Sequence, residues 1–369
     1  MEEHDRAGTH STANSTLSNF TSLADVTARP VDWLWYPYIA KGKITMLGGM
    51  PGCGKSWFGM WIAACVTRGA TPAGSHLWPN GEPVSSPANV ILLAAEDDNE
   101  DVIKPRMELL GADMSRVFVH KRPFLLDDLG RTRLREAVGD IHPALLTTDP
   151  VQAYLDPGKD MHRANQVRNF IQGLQDLACE FRYAHMLTGH YSKARKGSAV
   201  DRFIGSIDFI AACRSALATK LISPPDAATA RVLLSHVKNN IARHAGPTLE
   251  WQLAGEDGPQ DHPPQCPFTI GLAGDGLDVD MMLEDEKDAE EGRRGSVGLA
   301  EATAWLVDHM RECGGETPAK EVKSAAKECD ISARTLDRAK RAAGVLVYRD
   351  SAEGGARGAG KWMWKVREV

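Results

Sequence analysis

Apolar and polar positions fall in blocks along the chain, and their spacing predicts an ordered series of strands and helices. The apolar run from Ile44 to Leu47 breaks into Gly48-Gly49-Met50-Pro51-Gly52-Cys53-Gly54, followed by Lys55-Ser56 and apolar positions at helical spacing over 56–68. This is a strand, a glycine loop and a helix. After a Pro/Gly-rich loop (69–88), NVILLAAEDD (89–98) reads as a buried strand ending in acids. VIKPRMELLG (102–111) predicts a helix with proline near its start, RVFVH (116–120) a strand and residues 127–141 a helix. PALLTTDP (143–150) is a short strand ending at Asp149. Val167, Phe170, Ile171, Leu174, Leu177, Ala178 and Phe181 then mark one face of an amphipathic helix over 163–182. AHMLTGH (184–190) is a further strand. GSIDFIAACRSAL (205–217) reads as a helix, and LATKLI, RVLLSHVKNN and TLEWQLA as closing strands. Strands alternating with helices predict an α/β fold with a mainly parallel sheet, whose carboxyl edge carries the ligand.

The pattern changes past residue 274. Residues 275–292 hold nine acids against one lysine, the composition of a solvated, self-repelling linker, with an acidic surface helix as the alternative. Beyond it, TPAKEVKSAAKECDISARTLDRAKRAAG has the grammar of a helix-turn-helix. Thr317 is placed to cap a first helix with Pro318 at its first position, and Ser332 to cap a second that stops at Gly344. The second helix carries Arg334, Arg338, Lys340 and Arg341, and VLVYRD and KWMWKV flank a glycine-rich tip as a two-stranded wing. Such a module contacts DNA or protein. Trp362 and Trp364 are expected to pack, with base stacking as the alternative, and so is the aromatic stretch VDWLWYPYIAKG (31–42), whose alternative is stacking on a base or adenine. The expected organisation is a disordered tail (1–25), an α/β domain carrying the glycine loop (26–274), an acidic linker (275–295) and a winged-helix-like domain (296–369).

The chemistry concentrates at the glycine loop. Gly49, Gly54, Lys55 and Ser56 satisfy G-x-x-x-x-G-K-[ST], with Pro51, Gly52, Cys53 and Trp57 inside or beside the cradle. Glycines let consecutive N–H groups point inward, Lys55 reaches phosphate, and the Ser56 hydroxyl can ligate Mg²⁺. This predicts a site for a nucleoside triphosphate and Mg²⁺. Glu96 is a candidate base for polarising water, with Asp97 and Asp98 open as alternatives or as dipole-favoured acids at a helix start. Asp149 is a candidate for the metal shell, or a turn residue before Pro150. The two threonines before it replace the bulky apolar residues usual there. His190 can sense the γ-phosphate or serve structurally. Arg214, on an otherwise apolar stretch, wants an anionic partner: a neighbouring subunit's nucleotide or an ordinary carboxylate.

Bulk properties narrow the class. The 369 residues, 43% of them hydrophobic, suffice for one large α/β core and a smaller module, and a net charge of −6 confines any nucleic-acid contact to local patches. Seven cysteines without C-x-x-C or Cys/His ligand spacing read as reduced thiols of a cytoplasmic protein. No apolar run approaches membrane-spanning length, and the polar first 25 residues lack a secretory signal's apolar stretch.

Several stretches together resemble the RepA-like AAA-family ATPases of plasmids and prophages, RecA-fold proteins related to hexameric replicative helicases. They are WLWYPYIAKGKITMLGGMPGCGKS, NVILLAAEDD, LLTTDPVQAYL, HMLTGHYSKA, GSIDFIAACRSAL and HVKNN, in order over 26–255. The resemblance implies a hexameric ring that hydrolyses ATP and acts on DNA, single-stranded or duplex. It implies a catalytic glutamate at Glu96, a Walker-B acid at Asp149, a histidine motif at His190 and an arginine finger at Arg214, with Arg202 and Lys238 as alternatives. A recombination or repair ATPase of the RecA/RadA type, or an ATP-switched DNA-binding regulator, are the competing functions.

Overall fold

The structure is a computed structural model that describes residues 20–122, 124–156, 164–191, 208–223, 229–254, 268–274, 277–279, 282–283, 299–349 and 361–365. The aromatic stretch forms β1 (Trp33–Trp35) and β2 (Ile39–Ala40), and the glycine-loop motif forms β3 (Ile44–Gly49) and α1 (Lys55–Arg68). Next come β4 (Val90–Ala94), α2 (Lys104–Leu109), entered through a π turn, β5 (Val117–Val119), α3 (Asp128–Ile141) and β6 (Leu145–Asp149). The amphipathic stretch is α4 (Ala164–Phe181), followed by β7 (Ala184–His190), α5 (Asp208–Ala212), β8 (Ser215–Leu221), β9 (Thr229–Asn239), β10 (Leu249–Ala254) and β11 (Phe268–Leu272).

Nine strands form one sheet in the order β11-β10-β9-β8-β3-β7-β6-β4-β5. The six from β8 to β5 are parallel, and β9, β10 and β11 extend the β8 edge as antiparallel strands. β7 separates β3 from β6, so the cleft between the glycine loop and Asp149 opens at the carboxyl edge. This is the α/β core with a mainly parallel sheet that the alternating pattern predicts, and it has the RecA-like P-loop arrangement that the resemblance implies. Both faces are covered. Phe58, Trp61 and Ile62 of α1 pack with Met107 of α2 and with Trp35, Tyr38 and Trp78 on one side. Leu134 and Val138 of α3 pack with Phe170, Ile171 and Leu174 of α4 on the other. The aromatic stretch is packing, as expected: Trp35 stacks on Trp78 with centroids 4.6 Å apart.

Three expectations about the residues before 299 need correction. The 205–217 stretch is not one helix, because α5 stops at Ala212 and Ser215 pairs with Thr45 as the start of β8. The stretch read as an acidic linker contributes to the core at its start: Val279 and Leu283 are buried in the α4-side cluster. Residues 20–25, assigned to a disordered tail, include a 3₁₀ turn at Leu23–Asp25 capped by Ser22. The rest of the tail and most of the linker lie outside the described residues.

The C-terminal region has its own core. α6 (Leu299–Glu312), β12 (Glu316–Pro318), α7 (Ala319–Glu328), α8 (Ala333–Ala342), β13 (Leu346–Arg349) and β14 (Trp362–Lys365) are described there, with the strands in the antiparallel order β12-β14-β13. Leu306, Met310, Val322, Ile331, Leu336 and Trp364 pack together. The Ser332 hydroxyl accepts from Thr335 N at 3.0 Å, the predicted cap. Thr317 is no cap; it is buried in β12, whose pairing with β14 holds it extended. Trp364 packs as expected but Trp362 is exposed. Lys340 is not a free basic group: it pairs with Asp337 and lies over the Trp364 ring at 4.9 Å. The side chains of Arg334, Arg338 and Arg341 lie outside the described residues.

Candidate active site

The loop between β3 and α1 is built by close approach. A Cβ on Gly49 would stand 1.8 Å from Thr219 Oγ1 of β8, so only glycine fits there. Thr219 donates to Gly48 O at 3.1 Å, and Cys53 Sγ lies 3.1 Å from the same hydroxyl and 2.9 Å from Met50 O. Pro51 and Gly52 form the exposed tip. Lys55 is buried, and its Nζ donates to Gly49 O at 3.2 Å and Met50 O at 2.8 Å, which places the ammonium inside the loop. Trp57, counted with the cradle in the sequence, lies under the Arg106 guanidinium at 5.3 Å and parallel to Phe268, and so ties α1 to α2 and β11.

Asp149 ends β6 directly across from this loop. Burial raises its carboxyl pKa; a hydrogen bond from Ser56 and the charge of Lys55 oppose that, while Asp97 and Glu96 push it further up. A small cavity lined by Ser56, Asp97, Thr147, Asp149 and Thr188 lies beside it. Crowded carboxylates next to a hydroxyl fit a divalent cation, which would relieve their repulsion. Among the described residues no group of three or more His, Cys, Asp and Glu forms a metal cage. The Ser56 hydroxyl and the Asp149 carboxylate fit Mg²⁺, which protein holds through one or two groups and which keeps water and phosphate oxygens as its other ligands.

The threonines before Asp149 have places. Thr147 lines the cavity and Thr148 lies 2.9 Å from His185 Nε2 on β7, with Leu145 and Leu146 facing opposite cores. The strand register is therefore the one that puts Asp149 at the cleft.

The three acids after β4 separate by their contacts. Asp97 pairs with Arg106 at 3.4 Å, and Asp98 caps the π turn by accepting from Glu100 N at 2.9 Å. Glu96 stands exposed at the strand end, near enough to Asp149 and His190 to act on both electrostatically. His190 is the register partner of Gly49. Burial and the Lys55 charge lower its pKa, Glu96 opposes them, and its buried Nδ1 has no hydrogen-bond partner among the described residues. A neutral imidazole with an unmet nitrogen beside the loop suits a phosphate contact.

Arg214 lies elsewhere. It is exposed just before Ser215, which aligns with Thr45 at the amino end of β3, so roughly 16 Å of strand separates it from the level of Gly49. Lys238, its rival, donates to Ile210 O and Ala211 O at 2.8 Å each and closes the end of α5. Arg202 lies outside the described residues.

Sequence reasoning missed Thr219 and Trp251. Trp251 of β10 donates its indole N–H to Cys53 O at 3.2 Å. Neither carries a local motif; only the sheet order brings them to the loop.

A glycine loop on the carboxyl edge of a parallel sheet, a buried lysine within it and a carboxylate across a one-strand gap define a P-loop nucleoside triphosphatase. A family model described as an AAA domain matches residues 11–196, half of the 369-residue chain. The chain belongs to that family and is an ATPase of the P-loop type. No curated protein matches it. Among the described residues no helix is long and apolar enough to cross a membrane.

Proposed function

We propose that the chain is a ring-forming, Mg·ATP-driven motor acting on DNA, of the RepA-like, replicative-helicase kind, serving replication of a plasmid, phage or integrated element in the cytoplasm. The position of Arg214 carries this reading. An exposed guanidinium at the amino edge of the sheet cannot serve its own loop at the carboxyl edge; a second copy of the chain would supply its anion. In this reading the loop N–H groups and Lys55 hold the phosphates, and Ser56 and Asp149 hold Mg²⁺, directly and through water. Mg²⁺, when bound, neutralises phosphate charge. Glu96 takes the proton of the attacking water, and His190 reports the state of the γ-phosphate to the segment after β7. The C-terminal helices and wing contact duplex DNA, and the ring's interior holds single strands.

The test is ATP turnover, with and without single-stranded DNA, for the parent, Glu96→Gln, Arg214→Ala and an equal mixture of the two variants. Glu96→Gln should bind ATP while turnover falls about a hundredfold or more. The mixture should regain part of the activity, because some interfaces combine an intact glutamate with an intact arginine. No regain in assembled mixed oligomers sinks the shared site. Turnover indifferent to DNA points to the ATP-switched regulator, and DNA-stimulated turnover without unwinding to the recombination class.

A further inference from the structure

Trp251 belongs to no phosphate-binding motif and stands 198 positions from the loop residue it bonds. It is the middle strand's contribution from the antiparallel extension: β10 pairs with β9 on one side and β11 on the other, with Trp251 opposite Val232 and Ile270. The side chain is fully buried, stacked on Phe58 of α1 at 5.0 Å. A buried indole N–H requires an acceptor, and it has one in Cys53 O at 3.2 Å. The next residue, Gly54, sits in the left-handed region at φ +75°, and a Cβ there would also stand 3.1 Å from Trp251 Nε1.

In a trans peptide the carbonyl and the following N–H point in opposite directions. Fixing Cys53 O toward β10 therefore turns the Gly54 N–H away from β10. We infer that Trp251 is a positioning residue of the nucleotide site: its indole N–H locks the Cys53–Gly54 peptide with the Gly54 N–H toward the phosphates. Gly54 supplies the backbone conformation and the open space; Trp251 selects one orientation of the peptide. The antiparallel strands thus pre-organise the cradle before any nucleotide arrives. This inference rests on the nucleotide-site reading, which the parent's own affinity tests in the same titration.

The experiment removes the donor and keeps the ring. In the full-length chain, Trp251 is replaced by Phe and, separately, by 3-benzothienylalanine, in which sulfur stands for the indole N–H at nearly unchanged shape. ATP and ADP affinities are measured well below the unfolding temperature, with turnover at saturating ATP and the Tm without nucleotide. Loss of one neutral hydrogen bond should weaken both affinities by roughly 2- to 10-fold. Turnover at saturation should stay within about twofold, because the bond organises binding and touches no reacting atom. The benzothienyl variant should show this with little change in Tm, and Phe should show it alongside a lower Tm. Parent-like affinity in the folded benzothienyl variant overturns the proposal. So does a fall in saturated turnover at unchanged affinity.

Discussion

His185 is fully buried between β6 and β7, with Nε2 at Thr148 Oγ1 and Nδ1 without a partner among the described residues. Burial pushes its pKa from 6.5 down to about 3. Above pH 6.5 the ring is neutral in both folded and unfolded chains. Between 6.5 and about 3 the unfolded chain takes up a proton that the folded chain refuses, so stability falls as pH falls, by about 1.4 kcal/mol per pH unit. Below about 3 both states are protonated and this contribution stops changing. His185→Gln keeps a group that can bond Thr148 and removes the titration. Denaturant unfolding at pH 7.5, 5.5 and 4.5 should show a slope shallower than the parent's by about one proton; equal slopes would refute the assignment. The Thr147-Thr148 pair looked anomalous in the sequence for a related reason. Its partners, His185 and the cleft wall, come from other strands, and no local pattern announces them.

At the scale of elements, the stretch after residue 205 shows how tertiary context overrides a local pattern. Short apolar runs suit a helix or a buried strand equally. Here β8 is drawn into the sheet by pairing with β3 on one side and β9 on the other, and α5 ends at Ala212. Lys238 fixes the break by donating to the last carbonyls of α5. Replacing it with Met should cost about 1 kcal/mol, since the ammonium is part-exposed and its bonds are partly repaid by water. Turnover per folded site should hold. A lower kcat at unchanged Tm would instead make Lys238 the cation acting across the interface. The Ser332 cap, by contrast, was legible, because a cap acts within one turn of chain.

For the whole molecule, the consequence lies in where the ATPase core ends. Val279 and Leu283 are 0% and 3% exposed within it, despite lying in the acid-rich stretch. A chain ending at Gly274 forfeits both, and burying such side chains is worth about 1.5–3 kcal/mol each. A chain ending at Gly292 keeps them. The longer truncation should retain the parent's nucleotide affinity, and the shorter should unfold at a clearly lower temperature; equal Tm values would show that these contacts contribute nothing. The acids hid these residues from composition, which averages over a segment and cannot see two apolar side chains turned inward. Sequence by itself determined what depends on near neighbours: the strand–loop–helix of Gly49–Ser56, the alternation of strands and helices, the acids that follow β4 and end β6, the cap at Ser332. Only the tertiary structure decided what depends on strand order. It paired Asp97 with Arg106 and left Glu96 exposed, placed Arg214 at the edge away from its own loop, and brought Thr219 and Trp251 onto that loop. Such contacts join residues far apart along the chain, and their energy appears only when the sheet has closed around them.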